Sequence, residues 1–132
     1  MLRSRQLVKV LGYVNCGIGE EEEEQLVKMV SMPQSIVGRG NIFSVVAKGY
    51  SMIDEGVRPG DLIFVRRTYS AKPGDIVIAL YRGLNNCKRF EIENGKCILR
   101  SCTRDKQAYP DIEVDHLEIQ GVVVGYYHNL RQ

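Results

Sequence analysis

From residue 42 onward, short apolar runs alternate with turn residues, and this spacing most limits what the chain can fold into. The runs recur about every ten residues, and most are rich in valine and isoleucine. Asn94-Gly95 is the strongest turn signal between two of them, because this dipeptide suits the two-residue turn of a β-hairpin. The pattern predicts a mostly β fold of coiled antiparallel sheets with little helix. The predicted strands are "IFSVVAKG" (42–49), "DLIFVRR" (61–67), "DIVIALY" (75–81), "CKRFEI" (87–92), "CILRSC" (97–102) and "LEIQGVVVGYY" (117–127).

The residues before this region are less regular. The glutamate-rich stretch 20–30 predicts a helical turn or two, or a solvated link, and 33–41 reads as a loop. The tripeptide Pro-Gly-Asp occurs at 59–61 and again at 73–75, each time before a predicted strand. Turn chemistry explains this recurrence without a functional role.

Composition and charge exclude several classes of protein. A length of 132 residues suffices for one domain with one core. The net charge of +2 is too small to predict a nucleic-acid surface, and no segment has a helix-turn-helix pattern. No apolar run approaches the ~20 residues that span a bilayer, and the basic amino-terminal residues lack the compact apolar segment of a signal peptide. We therefore expect a cytoplasmic protein without membrane association.

The cysteines and histidines show no metal-binding spacing, so we expect no metal or other cofactor. In a cytoplasmic protein the thiols are expected to be free, and surface or packing roles are expected for the histidines. The residues are Cys16, Cys87, Cys97, Cys102, His116 and His128.

Lys88 lies at an unusual place in the strand 87–92. Because side chains alternate between the two faces of a strand, Lys88 should share the apolar face with Phe90 and Ile92. A buried, unpaired charge is costly. Either the register differs, or the ammonium group reaches solvent along its own stem, or the amine is neutral. A desolvated, neutral lysine can act as a general base for a nearby nucleophile.

Ser51 is the candidate nucleophile. It follows the strand 42–49 and opens a turn, and Gly49 allows the backbone to bend sharply there. Backbone N–H groups at such a strand end can point towards the same space as the hydroxyl. The alternative is a helix N-cap, in which Ser51 and Asp54 form an arrangement like a capping box.

The ordered segments "GYSMIDEGVRPGDLIFV", "PGDIVIAL", "CKRF" and "IQGVVVGYY" resemble the self-cleaving Ser-Lys peptidase domain of LexA-type repressors, phage repressors and the UmuD mutagenesis proteins. This family belongs to the signal-peptidase-like superfamily, and the resemblance extends from about Gly12 to Leu130. It implies that Ser51 is the nucleophile and Lys88 the general base. The backbone N–H groups of Tyr50 and Ser51 are then expected to bind the oxyanion.

Members of the family cut their own chain at Ala-Gly or Cys-Gly, upstream of the serine. Here "LGYVNCGIG" supplies Cys16-Gly17, with Val14 as the apolar residue expected to contact the pocket. A small side chain fits a tight pocket, and the glycine lets the backbone turn into the site. The resemblance therefore divides the chain into an amino-terminal arm with the cleavage site (1–31) and a peptidase and dimerisation domain (32–132).

Some positions depart from the family pattern. Tyr50 stands where aspartate often precedes the serine, and Cys87 stands where an apolar residue is common. The segment "RSCTRDKQAYPDI" (100–112) replaces a stretch that usually holds Asn-x-x-Tyr, and only Tyr109-Pro110 matches its end. The contacts of this segment cannot be assigned from the sequence.

The resemblance also implies partners. The family forms homodimers through its late strands, and RecA filaments on single-stranded DNA favour the cleavable state. Repressors of this family bind DNA through a helix-turn-helix domain, and the residues before Cys16 are too few for one. The chain is therefore interpreted as a repressor domain, which we favour, or as a complete UmuD-like protein that assists a translesion polymerase.

Two alternatives come from other classes of protein. A signal peptidase would share the serine and lysine motifs but would need a membrane anchor. A non-catalytic dimerisation module remains if the ammonium group of Lys88 only reaches solvent.

Overall fold

The computed structural model describes residues 5–15, 28–38 and 40–128, and the strands in these ranges form one sheet. The sheet has nine strands in the order β2-β1-β3-β4-β9-β5-β6-β7-β8. Helix is limited to the four residues of α1 (Gln34–Val37) and a 3-10 turn (Ile53–Glu55). The strands are β1 (Arg5–Asn15), β2 (Lys28–Pro33), β3 (Ile42–Lys48), β4 (Leu62–Arg67), β5 (Ile76–Tyr81), β6 (Leu84–Glu93), β7 (Lys96–Arg100), β8 (Ile112–Val114) and β9 (Glu118–Tyr127).

Strand β1 closes the sheet on itself. It pairs in parallel with β3 along most of its length and also meets β6, where Asn15 lies opposite Asn86. Strands β1, β3, β4, β9, β5 and β6 thereby form a closed barrel, flanked by β2 on one side and by β7 and β8 on the other. All pairings other than the two made by β1 with β3 and β6 are antiparallel. The predicted mostly antiparallel β fold is confirmed.

The core occupies both faces of the central strands. In β5 the consecutive residues Val77, Ile78 and Ala79 are all buried, as expected for a strand covered on both sides. Ile78 belongs to the cluster that includes Met52 and Cys87, whereas Val77 and Ala79 belong to another. Two packed layers of side chains therefore hold β5 and β6 in place.

The two Pro-Gly-Asp sequences form the same turn. The N–H of Asp61 donates to the carbonyl of Arg58 (3.0 Å), and Asp61 Oδ2 accepts from the N–H of Arg58 (2.8 Å). Asp75 and Lys72 repeat both bonds, at 3.0 and 2.9 Å. The recurrence is thus a matter of turn geometry, as the sequence suggested.

The hairpins follow the turn signals closely. Asn94 and Gly95 both have positive φ angles (52° and 76°) and join β6 to β7, as predicted. Arg82 and Gly83 form a similar turn between β5 and β6. Strand β6 therefore begins at Leu84, earlier than the predicted residue 87.

The first part of the chain differs more from the prediction. The end of the glutamate-rich stretch is strand rather than helix, because β2 begins at Lys28; residues 20–27 lie outside the described ranges. The predicted loop 33–41 contains α1. Strand β1 was not predicted, although Val8 and Val10 are fully buried with the polar residue Lys9 exposed between them. No helix in the described ranges is long and apolar enough to cross a membrane.

Candidate active site

Ser51 lies in the turn after β3 and is completely buried. Gly49, two residues earlier, has a φ angle of 90°, which bends the backbone as the sequence predicted. The Ser51 Oγ atom has no hydrogen-bond partner among the described residues. Buried polar atoms are usually hydrogen-bonded, so such an orphan is often part of a functional site.

The capping alternative for Ser51 is not what the structure shows. The N–H of Ile53 donates to the carbonyl of Tyr50 (3.1 Å), and the N–H of Asp54 donates to the carbonyl of Cys102 (2.8 Å). The residue at the N-cap position of the 3-10 turn is Met52, without a side-chain hydrogen bond. The Ser51 hydroxyl is therefore not used to begin a helix.

Backbone donors beside Ser51 are available for a further acceptor. Within the described ranges, no backbone carbonyl or side chain accepts from the N–H groups of Tyr50 and Ser51. Two adjacent N–H groups of this kind could stabilise a negatively charged oxygen. Their assignment as oxyanion donors stays a prediction.

Lys88 is buried in β6, with only 2% of the residue exposed, and lies opposite Val77 of β5. The ammonium group therefore does not reach bulk solvent, which is against the alternative that it extends along its stem into water. Phe90 is buried as predicted, but the placement of Ile92 on the buried face was wrong. Ile92 is 50% exposed because β6 extends past the core into its hairpin with β7.

Cys102 connects the Ser51 turn to the neighbourhood of Lys88. Its N–H donates to the carbonyl of Ser51 (2.6 Å), and its carbonyl accepts from Asp54. Burial raises the pKa of the Cys102 thiol, and the positive charges of Arg89, Lys106 and Lys88 offset part of this rise. The charge of Lys88 therefore acts on the thiol of Cys102, and the backbone of Cys102 is hydrogen-bonded to Ser51.

A second connection joins the same two elements. Arg89, next to Lys88 in β6, forms an ion pair with Glu55 of the 3-10 turn that follows Ser51. The hydroxyl of Tyr126 in β9 donates to the carbonyl of Glu55 (3.1 Å). Sequence reasoning missed Cys102, Arg89 and Glu55 as scaffold residues, because no local motif marks contacts between distant segments.

The backbone that leads to the predicted scissile bond approaches this site. Asn15, at the end of β1, lies opposite Lys48 at the end of β3 and Asn86 in β6. Val14 pairs through its backbone with Ala47. Cys16 and Gly17 lie outside the described residues. Strand β1 therefore ends between β3, the strand that precedes Ser51, and β6, the strand that carries Lys88.

The remaining candidate residues have ordinary roles. In the described ranges, no group of three or more His, Cys, Asp or Glu residues could hold a metal ion. Cys97 and Cys102 carry free thiols. His128 Nδ1 lies 2.5 Å from Oδ1 of the buried Asp61, and the side chain of His116 is exposed.

Comparisons with known proteins identify the family of the chain. The Peptidase S24-like family model matches residues 9–124, so the chain belongs to the S24-like peptidase family. It is related to LexA repressors: the identity is 34% over 125 residues with that of Syntrophobacter fumaroxidans, covering 95% of this chain and 60% of the relative. The identity is 38% over 121 residues with that of Oleidesulfovibrio alaskensis (89% and 57%), and 34% over 132 residues with that of Myxococcus xanthus (94% and 58%).

The chain spans between 57% and 60% of the length of these three relatives. The resemblance inferred from the sequence motifs is therefore confirmed at the level of the peptidase family and its LexA relatives.

Proposed function

We propose that the chain is the self-cleaving peptidase domain of a LexA-like repressor and that it cuts its own Cys16-Gly17 bond with Ser51 and Lys88. One observation carries the proposal. The buried, unpartnered hydroxyl of Ser51 lies on a turn that the Glu55–Arg89 ion pair joins to β6, the strand that carries the buried Lys88. A nucleophile and a desolvated amine are the two groups that this chemistry requires.

The proposed reaction begins with proton transfer. Burial disfavours the charged ammonium form of Lys88, so its neutral amine can accept the proton of Ser51 Oγ. The oxygen then attacks the carbonyl carbon of Cys16, and the N–H groups of Tyr50 and Ser51 stabilise the oxyanion. As the C–N bond breaks, the Lys88 ammonium returns the proton to the Gly17 nitrogen. Water then hydrolyses the ester between Cys16 and Ser51.

The path of β1 supports the choice of substrate. Its last residue, Asn15, is held by backbone pairing between β3 and β6, directly before Cys16. Val14 would contact the pocket beside the scissile bond. A segment presented as an extended strand places a peptide bond in a defined orientation, which lowers the entropic cost of attack.

The partners follow from the relatives. A LexA-like repressor would respond to a RecA filament on single-stranded DNA, which favours the cleavable arrangement around Cys16. It would bind DNA through a separate helix-turn-helix domain and act as a cytoplasmic, SOS-type regulator. The curated relatives are named LexA repressors, which favours this role over that of an UmuD-like accessory protein for a translesion polymerase.

Homodimerisation is a second function that a specific observation favours. The late strand β9 exposes Val124, Tyr126 and Tyr127 (38%, 45% and 51%). Exposed apolar residues that lie close together on one strand often mark a protein interface. A dimer would form with or without cleavage, so this function would survive if the peptidase proposal failed.

The test is the intact mass of the protein after incubation at pH ~10, where a larger fraction of any lysine is neutral. We expect two fragments that meet at Cys16/Gly17, and none from Ser51→Ala or Lys88→Ala. Ser44→Ala is a matched control, because Ser44 is also fully buried with an unpartnered Oγ. It should be cleaved like the unchanged protein. Cleavage by the Ser51→Ala variant, or none by a folded unchanged protein, would contradict the proposal.

A further inference from the structure

We propose that Asp111 and Lys106 are positioning residues for Ser51. They fix the backbone of Ser101, and the adjacent residue Cys102 holds the turn that carries the nucleophile. This inference rests on the proposed function, since it assigns a role in the same reaction. It assigns to the segment 100–112, which departs from the family pattern, the role of positioning the Ser51 turn.

The N–H, the hydroxyl and the carbonyl of Ser101 each have a hydrogen-bond partner. Its N–H donates to Asp111 Oδ1 (3.0 Å), and its hydroxyl donates to the carbonyl of Tyr109 (2.6 Å). Its carbonyl accepts from Lys106 Nζ (2.7 Å). With only 2% of the residue exposed, Ser101 has little freedom to move relative to this segment.

Asp111 and Lys106 also bind each other. Lys106 Nζ lies 2.8 Å from Asp111 Oδ1, and Arg100 Nη1 lies 3.1 Å from Asp111 Oδ2. Burial raises the pKa of Asp111, but the hydrogen bonds from Lys106 and Ser101 and the charges of Lys106 and Arg100 outweigh it, so the net shift is downward. The carboxylate is therefore ionised at neutral and alkaline pH and can accept all of these bonds.

Cys102 links the backbone of Ser101 to the turn that carries the nucleophile. Its N–H and carbonyl bond to residues on either side of Met52, namely to the carbonyl of Ser51 and the N–H of Asp54. A displacement of Ser101 would therefore carry the Ser51 turn with it. A shift of about 1 Å in an attacking atom can slow a reaction by about 100-fold, even when the cause is distant.

The chain offers a close control for the loss of a carboxylate. Glu113 lies two positions beyond Asp111 and forms an ion pair with Lys96 across β7 and β8 (2.9 Å). No hydrogen bond or ion pair shown for Glu113 within the described ranges joins it to Ser101. Glu113→Gln therefore removes one charge and one ion pair from the same region without touching the proposed linkage.

The experiment measures the self-cleavage rate of the full chain from pH ~7 to ~11 for the unchanged protein, Asp111→Asn and Glu113→Gln. We expect Asp111→Asn to lower the rate at the alkaline plateau by at least about tenfold. The midpoint of the pH profile should stay in place, because it reports loss of the proton from Lys88. Glu113→Gln should match the unchanged protein.

A second readout separates the position of Ser51 from the movement of the cleavage segment. A small fluorophosphonate, which forms a bond to Ser51 Oγ and releases fluoride, should label Asp111→Asn more slowly than Glu113→Gln. If Asp111→Asn does not fold, Lys106→Met tests the same linkage, because it removes the bond to the Ser101 carbonyl while Asp111 can still accept from the Ser101 N–H.

Equal plateau rates and equal labelling for Asp111→Asn and Glu113→Gln would overturn the inference. A shifted midpoint with an unchanged plateau would overturn it as well, because Asp111 would then act through its charge on Lys88. Failure of the proposed function looks different: the unchanged protein itself would not cleave. The labelling rates of the same variants would still decide whether Asp111 positions Ser51.

Discussion

Arg89 and Glu55 form an ion pair that joins the strand carrying Lys88 to the turn carrying Ser51. Each residue lies close in sequence to one of the two proposed catalytic groups, and both side chains are about one-third exposed (32%). The pair therefore contributes to the relative position of the two elements from the solvent side. Its contribution to the free energy of unfolding should be small, because water screens such pairs.

A double-mutant cycle with Glu55→Gln and Arg89→Gln should measure this contribution. We expect a coupling free energy below about 1 kcal/mol from urea denaturation. The coupling should shrink in ~1 M salt, which screens charges over a few ångströms. Strictly additive losses in the two single variants would show that the ion pair does not stabilise the fold.

Two glycines of β9 should respond differently to replacement by alanine. A Cβ atom at Gly121 would lie 2.3 Å from Val65 Cγ1 and 2.8 Å from the Arg66 carbonyl oxygen, whereas nothing lies within 4 Å of one at Gly125. Gly121→Ala should lower the free energy of unfolding by about 1–3 kcal/mol through overpacking. Gly125→Ala should change it by less than about 0.5 kcal/mol. Thermal or urea denaturation of both variants checks this, and equal losses would contradict it.

Asp111 should also make stability depend on pH. Its pKa in the folded chain lies below the usual value of 3.8, despite burial, because Lys106, Ser101 and Arg100 favour the carboxylate. The unfolded chain therefore binds this proton first as the pH falls. The stability that the ionised group contributes is complete above its unfolded pKa and is lost as the pH falls through the folded value.

Urea denaturation between pH ~2 and ~7 would test this for the unchanged protein and Asp111→Asn. The difference between their free energies of unfolding should be constant at the upper end and shrink below pH ~4. A difference that stays the same down to pH ~2 would mean that the charge of Asp111 does not stabilise the fold.

The thiols should differ in reactivity. Burial raises the pKa of Cys102, so little of it is thiolate at pH ~8, and its side chain is nearly inaccessible. Cys97 is only partly buried. Iodoacetamide should therefore modify Cys97 before Cys102, as measured by mass spectrometry of peptides from the folded protein. Loss of this preference in urea would confirm that folding causes it, and faster modification of Cys102 would contradict the prediction.

Local signals in the sequence were enough to find much of the fold. The turn residues Asn94-Gly95 and the Pro-Gly-Asp sequences act within a few residues, so their effect can be predicted from the chain alone. The β-branched runs between them became strands for the same reason. Strand β1 escaped prediction because Leu7, an apolar residue, is exposed beside the buried Val8, so the apolar residues do not mark the buried face. Its partner β3 is also parallel and distant in sequence.

The candidate site was predictable only in part. Ser51 and Lys88 stood out because each departs from its local surroundings: a serine opens a sharp turn, and a lysine interrupts an apolar strand face. Cys102, which bonds to the Ser51 turn, and Asp111, for which we propose a positioning role, belong to a segment that matches the family loosely. Cys102 forms its hydrogen bond with Ser51, in a segment about 50 residues earlier, and Asp111 accepts from the N–H of Ser101 across a separation of 10 residues. Side-chain alternation and turn chemistry act over only a few residues and do not predict either contact.

The parallel pairing of β1 has a consequence for what self-cleavage would produce. A cut after Cys16 would break the covalent path from β1 to β2, yet Val8 and Val10 would stay buried and the backbone of β1 would stay paired with β2, β3 and β6. The product would then be a split protein, in which the segment that ends at Cys16 completes a barrel built by a separate chain. That segment would leave by dissociation, at a rate independent of peptide-bond cleavage, and dilution would favour its release. Denaturing mass spectrometry would count two chains from the moment of the cut, whereas native mass spectrometry would count one particle until the segment that carries β1 dissociates.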